Sequence, residues 1–256
     1  MRPTLQILWM WLRRDIKSRY AGSLVGMAWA FLGPLATMGL FYVLFAHIFK
    51  VRVPELTTDT GYLYYLLAGL VPWLAIAEAL SRGTGVIVAY EQFLQKQVFS
   101  VEVLPLSVVF SALLPQFVGT AVLFGLLAVA GVGEPIRWLL WPGVLGLQVL
   151  MVSGIVLVLS VLAVHLRDLV HGLPVLIQFL FYATPILFSM TMVPEAYHPL
   201  FLLNPFAVLI QAHQAILLGL PFGFLQAAAL LGWTLVLGVG GIALFRVLRP
   251  TVGDGV

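Results

Sequence analysis

Residues that often take part in catalysis or metal binding are few in this sequence, which has five scattered histidines and no cysteine. The 256 residues include no cysteine, which excludes disulfides, thiolate metal ligands and thiol nucleophiles. The five histidines fall in predicted loops and at predicted helix ends, without the spacing that places ligands on one helix face: His47, His165, His171, His198 and His213. We therefore predict no metal site.

Phosphate-binding and hydrolase motifs are also missing from the sequence. No GxxxxGKS or GxxxxGKT segment occurs, so the chain lacks the loop that cradles ATP phosphates in many ATPases. The GxSxG and HExxH patterns of serine hydrolases and zinc proteases are missing as well. We predict that the chain is not an enzyme and that any energy from ATP comes through a separate chain.

A basic cluster lies near the N-terminus, where Arg13, Arg14, Lys17 and Arg19 fall within seven residues. Apolar residues around it recur at helical spacing on one stripe, and most of the basic side chains lie away from that stripe, which consists of Leu5, Leu8, Trp9, Leu12 and Ile16. The pattern predicts that residues 1–22 form an amphipathic helix in the membrane surface.

A polar stretch, Tyr90–Pro105, interrupts the apolar pattern with too many polar groups to face lipid: Glu91, Gln92, Gln95, Lys96, Gln97 and Glu102. The simpler interpretation is a solvated loop. The alternative is a short helix that docks on another protein, because apolar anchors stand among the polar groups: Phe93, Leu94, Val98, Phe99 and Val101.

Glu78 and Arg82 lie four residues apart within a predicted apolar helix. Opposite charges at this spacing share a helix face, so an ion pair is the favoured prediction. The alternative is a direct role in a polar pathway through the membrane.

The elements that carry these residues are predicted to be membrane helices. Apolar residues make up 62% of the sequence and charged residues 9%, whereas soluble domains have about 45–50% and about 25%. We predict an all-α membrane protein with one transmembrane domain, residues 1–256, and six crossings at Met27–Phe49, Tyr62–Val88, Leu106–Val132, Trp138–Val164, Leu173–Met190 and Phe224–Leu244.

The segment Thr191–Gly223 is apolar enough in part to cross, yet polar residues interrupt it. Charge bias decides between the topologies. With six crossings and both termini inside, all basic residues except Lys50, Arg52 and Arg137 lie on the cytoplasmic side, as the positive-inside rule expects. We predict that residues 191–223 form short re-entrant helices on the outer face.

Aromatic residues cluster near the predicted helix ends: Tyr42, Tyr62, Tyr64, Tyr65, Trp73, Trp138 and Trp141. Such rings are commonly anchors at the membrane interface. The alternative is stacking on sugar rings that pass through the protein, and the sequence leaves both interpretations open.

Several short motifs together resemble one family, the ABC-2 type permeases that export lipid-linked polysaccharides such as O-antigen, capsule and teichoic acid. The resemblance is carried, in the family's order, by Arg14–Tyr20, Ser23–Gly26, Trp29–Phe31 with Pro34, Lys96–Phe99 with Glu102 and Leu104–Pro105, Arg167–Leu169, Pro174, Gln178, Tyr182–Ile186 and Leu203–Pro205.

This resemblance implies a homodimer in the bacterial inner membrane, with two copies of a cytoplasmic ATPase that binds ATP and magnesium. The cargo would be a glycan on a polyprenyl diphosphate; this chain needs no cofactor and no nucleic acid partner. Residues 90–105 would form the coupling helix, which contacts the ATPase through Glu91, Gln92, Phe93, Lys96, Phe99 and Glu102.

The resemblance also implies roles for two further sets of residues. The basic cluster of Arg13, Arg14, Lys17 and Arg19 would attract the lipid diphosphate, since arginine binds phosphate in a two-pronged geometry. Topology setting and contact with anionic lipid are the simpler roles of these charges. Candidate aromatics along the glycan path are Trp29, Phe31, Tyr42 and Tyr182, and residues 191–223 would form gate helices.

Two other functions remain as the main alternatives, and a third, a non-catalytic scaffold, has little support from the polar segment at residues 191–223. An ABC-2 permease for a lipid or a hydrophobic drug would share this architecture. A membrane enzyme acting on lipid-linked sugars would need acid and base groups, for which His165, Asp168 and His171 are the candidates, although a charged turn explains their clustering better.

Overall fold

The computed structural model describes residues 2–19, 22–23, 25–44, 48, 60–91 and 100–252. These residues form helices and turns without a β-strand, as the all-α prediction expects. The helices are α1 (Arg2–Arg19), α2 (Trp29–Tyr42), α3 (Gly61–Ala89), α4 (Val103–Ala130), α5 (Pro135–Trp138), α6 (Trp141–His165), α7 (Asp168–Tyr182), α8 (His198–Leu202), α9 (Pro205–Leu218), α10 (Phe224–Trp233) and α11 (Gly240–Leu248).

Helix α3 is the centre of the bundle. It contacts α2, α4, α6, α7 and α9, and most of its side chains are buried. A helix that is apolar on all sides is stable when neighbours cover all of it. Gly83 lets α6 approach closely, because a Cβ atom at this position would overlap the side chain of Val156.

Among the described residues, four helical segments are long and apolar enough to cross a membrane: Gly61–Ala89, Val103–Ala130, Pro135–His165 and Phe224–Thr251. They correspond to the second, third, fourth and sixth predicted crossings. The predicted first and fifth crossings contain shorter helices, α2 with 14 residues and α7 with 15 residues. At 1.5 Å per residue each spans about 21–23 Å, less than the ~30 Å of the hydrocarbon core.

A sharp bend divides the apolar segment that precedes the last long helix. The axes of Glu195–Leu202 and Pro205–Leu218 differ by 106°. Asn204 precedes a proline, which disfavours helical backbone at this position, and its side-chain oxygen accepts hydrogen bonds from the N–H groups of Phe206 and Ala207. Its amide also donates to the carbonyl of Ala183 at 3.1 Å, which ties the bend to the end of α7.

The last long helical segment is joined to α6 by very close backbone packing. A π-helical stretch, Thr234–Val239, lies between α10 and α11. Gly154 on α6 faces this stretch, and a Cβ atom there would overlap the carbonyl oxygen of Leu237. Gly238 and Gly241 contact the same part of α6, so small residues on both helices allow the approach.

Candidate functional site

Three of the four basic residues in the N-terminal cluster line one open concave surface on α1. This basic surface consists of Met10, Arg13, Arg14, Lys17 and Ser18, and it encloses about 410 Å³. The fourth residue, Arg19, points elsewhere. Two guanidinium groups and one ammonium group therefore share one face of the helix, a combination suited to binding phosphate.

Aromatic rings hold both arginines of the basic surface. The guanidinium of Arg13 lies 4.8 Å from the ring centre of Trp9. That of Arg14 lies 4.6 Å from the ring of Trp11 and 5.2 Å from the ring of Tyr90, which contact each other edge to face. Arg14 therefore joins the basic surface to Tyr90, the residue at which the predicted coupling segment begins.

A chain of ion pairs fastens α1 to the bundle. Arg82 donates to Glu78 Oε1 at 2.9 Å and to Asp15 Oδ1 at 2.6 Å, and Arg19 donates to the other oxygen of Glu78. Ser111 on α4 donates to the second oxygen of Asp15 at 2.5 Å. The predicted pairing of Glu78 with Arg82 is confirmed.

The partners of Asp15 and Arg19 did not follow from the sequence. The two residues lie four apart on α1, so helical spacing would have suggested that they pair with each other. In the structure each residue instead pairs with a side chain of α3, Asp15 with Arg82 and Arg19 with Glu78. Glu78 and Arg82 stand out in the sequence because they interrupt an otherwise apolar helix. Their presence did not show that Asp15 and Arg19 would be their partners.

The predicted coupling residues are described only at the two ends of their segment. Gln92, Phe93, Lys96 and Phe99 lie outside the described residues. Glu91 follows the end of α3, and Glu102 precedes α4 with a carboxylate oxygen 3.5 Å from Arg249. The C-terminal turn is therefore packed beside the point where the segment rejoins the bundle.

The C-terminal turn has a second polar contact. Thr251 Oγ1 lies 2.9 Å from the Nε2 atom of His165 at the end of α6. Val252 is buried beside it in an apolar cluster with Trp11 and Phe245. His165 therefore has a hydrogen-bond partner in the C-terminal turn, and all three residues of the enzyme alternative, His165, Asp168 and His171, are exposed.

The candidate glycan-path aromatics lie on the exterior of the described bundle. Trp29 and Tyr42 on α2 and Tyr182 at the end of α7 are each at least two-fifths exposed. The side chain of Phe31 lies outside the described part. By contrast Tyr62, Tyr64, Tyr65 and Trp73 on α3 are buried, and the hydroxyls of Tyr62 and Tyr65 donate to backbone carbonyls between Pro185 and Phe188.

A buried amide cluster joins α9 to the bundle interior. Gln116 and Gln148 exchange two hydrogen bonds of 3.0 and 2.7 Å between α4 and α6. His213 places Nε2 2.9 Å from Gln148 Oε1, so Nε2 carries the proton in this arrangement. The described residues contain no group of three histidine or acidic side chains close enough to hold a metal ion.

Comparison with known proteins connects this arrangement to one family. Residues 6–218 match the family described as ABC-2 type transporter. The chain belongs to the ABC-2 type transporter family. This confirms the resemblance inferred from the short motifs. The matched region of this ABC-2 chain includes the basic surface, the ion-pair chain and the predicted coupling segment, and it ends at the last residue of α9.

Curated relatives of this ABC-2 chain are polysaccharide export proteins by name. It is 28% identical over 239 residues to the O-antigen export system permease protein RfbA of Klebsiella pneumoniae, covering 92% of this chain and 89% of that protein. It is 31% identical over 209 residues to RfbA of Myxococcus xanthus, covering 80% and 77%. The polysialic acid transport protein KpsM of Escherichia coli is 24% identical over 239 residues, covering 91% and 90%.

Proposed function

We propose that this chain is the permease subunit of an ATP-driven exporter that moves a lipid-linked polysaccharide across the bacterial inner membrane. The observation that carries this proposal is the similarity to an O-antigen export permease over about nine-tenths of both chains. The chain itself is a transport subunit and not an enzyme. ATP and magnesium belong to a separate ATPase, because the sequence has no phosphate-binding loop of the GxxxxGK type.

In the proposed topology, residues 1–256 form one transmembrane domain with six crossings and both termini in the cytoplasm. Each of the four long helical segments forms one crossing, and the shorter helices α2 and α7 form the other two. Helix α1 lies in the cytoplasmic membrane surface. The bent pair of α8 and α9 re-enters from outside; burial of nearly all of α9 and the cap at Asn204 favour this, because protein, not lipid, surrounds it.

The basic surface is the proposed entrance for the lipid diphosphate. Arg13, Arg14 and Lys17 line it, and aromatic rings hold the two guanidinium groups in place. Planar guanidinium groups that are already oriented lose less entropy when they bind phosphate oxygens. Arg19 pairs with Glu78 here, and its predicted contact with the diphosphate stays a prediction.

The proposed assembly is a homodimer with two ATPase subunits. Helices α2 and α7 expose large apolar and aromatic side chains, among them Leu35, Leu40, Phe179 and Tyr182. A second copy that covers these faces would place the short crossings and the candidate aromatics at the subunit boundary. The glycan passage would then lie between the copies, beside Trp29, Phe31, Tyr42 and Tyr182.

Force from the ATPase is proposed to arrive through the segment from Glu91 to Glu102. Its first end adjoins Tyr90, which contacts Trp11 and Arg14 of α1, and its second end adjoins Arg249. A push on this segment would therefore move α1 and its basic surface together with the ends of α3 and α4. Contacts of the residues that flank the segment connect both of its ends to the bundle.

Gene deletion tests the proposed cargo. We expect loss of surface polysaccharide in the deletion strain, with restoration by the wild-type chain together with its ATPase, measured by electrophoresis of extracted glycans. Normal surface polysaccharide with a new sensitivity to hydrophobic drugs would instead show an ABC-2 permease for drugs or lipids. Turnover of labelled lipid-linked sugar by the purified chain without ATPase would show an enzyme.

A further inference from the structure

A cavity of about 270 Å³, with polar side chains among an otherwise apolar lining, lies where the segment after α7 meets α9 and the start of α10. One buried water needs only about 10–15 Å³, so this space can hold a larger molecule. The proposed topology places this end of the bundle outside the membrane. The cavity is lined by Tyr65, Ser189, Met190, Thr191, His198, Gln211, Gln214, Leu220, Pro221 and Gln226.

Hydrogen bonds fix the amide groups in the cavity wall. Gln226 donates to Gln211 Oε1 at 2.7 Å and accepts from the N–H of Gly223 at 2.6 Å. Gln214 donates to the carbonyl of Pro185 at 3.0 Å. In these bonds the side-chain oxygen of Gln211 accepts and the side-chain nitrogen of Gln214 donates. The other end of each amide, the nitrogen of Gln211 and the oxygen of Gln214, takes part in none of these bonds.

Loop groups add further polar atoms to the cavity wall. Ser189 and Thr191 place their hydroxyl oxygens 3.1 Å apart. The Nε2 atom of His198 lies 3.0 Å from the carbonyl oxygen of Met190 and 2.9 Å from that of Val193, so this nitrogen donates to the backbone. The described residues lining the cavity include no aspartate, glutamate, lysine or arginine.

This combination of groups suits a neutral sugar. Sugar hydroxyls both donate and accept hydrogen bonds, as the amides and hydroxyls of the wall do. A carboxylate or phosphate on the ligand would lose hydration here without gaining a lysine or arginine partner, which is unfavourable. The wall therefore distinguishes an uncharged sugar ring from an anionic one.

We propose that this cavity binds one neutral sugar residue of the exported chain on the outer side of the permease. The inference rests on the proposed export function and narrows its substrate class to glycans that contain uncharged sugars. Each copy of the proposed dimer carries one such site. Binding there would hold the emerging glycan beside α9 while the next segment passes.

Binding of simple glycosides to the full-length chain in lipid nanodiscs tests the site. The probes are methyl α-D-mannopyranoside, methyl α-D-galactopyranoside and the anionic methyl β-D-glucuronide, titrated by saturation-transfer NMR. We expect at least one neutral glycoside to bind about tenfold more tightly than the glucuronide. Equal affinity for the glucuronide would overturn the neutral class.

Two variants locate the binding. Gln211→Leu removes the amide at similar size, and Thr191→Val removes one hydroxyl from an exposed loop position. We expect each to weaken neutral glycoside binding about fivefold, the effect of losing one hydrogen bond. Gln6→Leu, the same change at an exposed position of α1, is the control and leaves binding unchanged.

Unchanged binding in both variants, with elution from size exclusion like that of the wild type, would show that the cavity is not the site. Failure of the export function has a different readout. In that case the wild-type chain would not restore surface polysaccharide to the deletion strain, whatever the NMR titrations show.

Discussion

Arg82 holds two acidic side chains at once, Asp15 on α1 and Glu78 one turn earlier on α3. With Arg19 the group contains two acids and two bases, so its formal charge is zero. Such balance lets partly buried charges lie at the edge of an apolar bundle, where an unpaired charge would be strongly unfavourable. The same group fixes the position of the basic surface, because Asp15 lies directly beside Arg13 and Arg14.

Replacement of Arg82 by methionine should destabilise the protein. Both carboxylates would lose a partly buried charged hydrogen bond, with an expected loss of about 2–3 kcal/mol in the free energy of unfolding. Thermal unfolding of the purified chain in detergent, followed by circular dichroism, measures the shift in midpoint. Arg137→Met is the matched control, since its pair with Glu134 is more exposed and should contribute less than about 1 kcal/mol.

At the level of elements, the contact of α6 with the last long segment depends on the absence of side chains. Gly154→Ala should force the two helices apart, because the new methyl group overlaps the backbone of Leu237. We expect a loss of about 1–3 kcal/mol, as for overpacked cores, measured by the same thermal unfolding. Gly146→Ala on the same helix meets open space, and its unfolding midpoint should stay equal or rise slightly.

An equal loss of stability in the two glycine variants would contradict this account. It would show that the close approach of α6 to the π-helical stretch at Gly154 is not what makes that position sensitive.

The whole molecule is organised so that both ends of the predicted coupling segment are anchored in the bundle. Simultaneous alanine replacement of Glu91, Lys96 and Glu102 should therefore reduce ATP-dependent glycan export about tenfold or more, because a loosened contact transmits less force. Export is measured as surface polysaccharide in the complemented deletion strain, with the amount of permease in the membrane determined by immunoblot.

The control for this triple variant replaces Glu134, Arg137 and Glu195, again two acids and one base, on the side that the proposed topology places outside. Export should persist in the control. Wild-type export by the coupling variant, at wild-type abundance, would contradict the assignment of the segment.

The helical elements were predictable because their signal is local. Runs of about 20 apolar residues identify membrane helices whatever packs around them, and α3, α4, α6 and the last segment follow the predicted boundaries closely. The predicted fifth crossing, Leu173–Met190, extends beyond the end of α7 at Tyr182. Hydropathy shows how far a run of apolar residues extends. A helix ends where the backbone geometry changes, as it does in the turn that follows Tyr182.

Site residues were predictable only where a local rule applied. Glu78 and Arg82 share a helix face at four-residue spacing, and the structure pairs them. Tyr62 and Tyr65 lie near a helix end, which favoured an interfacial role, yet α6, α7 and α9 cover α3 and bury both rings. Burial depends on neighbours that are distant in sequence, so no local pattern contains it.

Composition, apolar runs and the family's short motifs were sufficient to establish a helical membrane permease, because each of them depends on residues close together in the chain. The partners of Asp15 and Arg19, the ring contacts of Arg14 and the cavity beside α9 arise only when distant elements of the chain pack together. Packing brings groups that are 60 to 150 positions apart within hydrogen-bonding distance, as between the side chains of Arg82 and Asp15, or between the Gln214 amide and the backbone carbonyl of Tyr65.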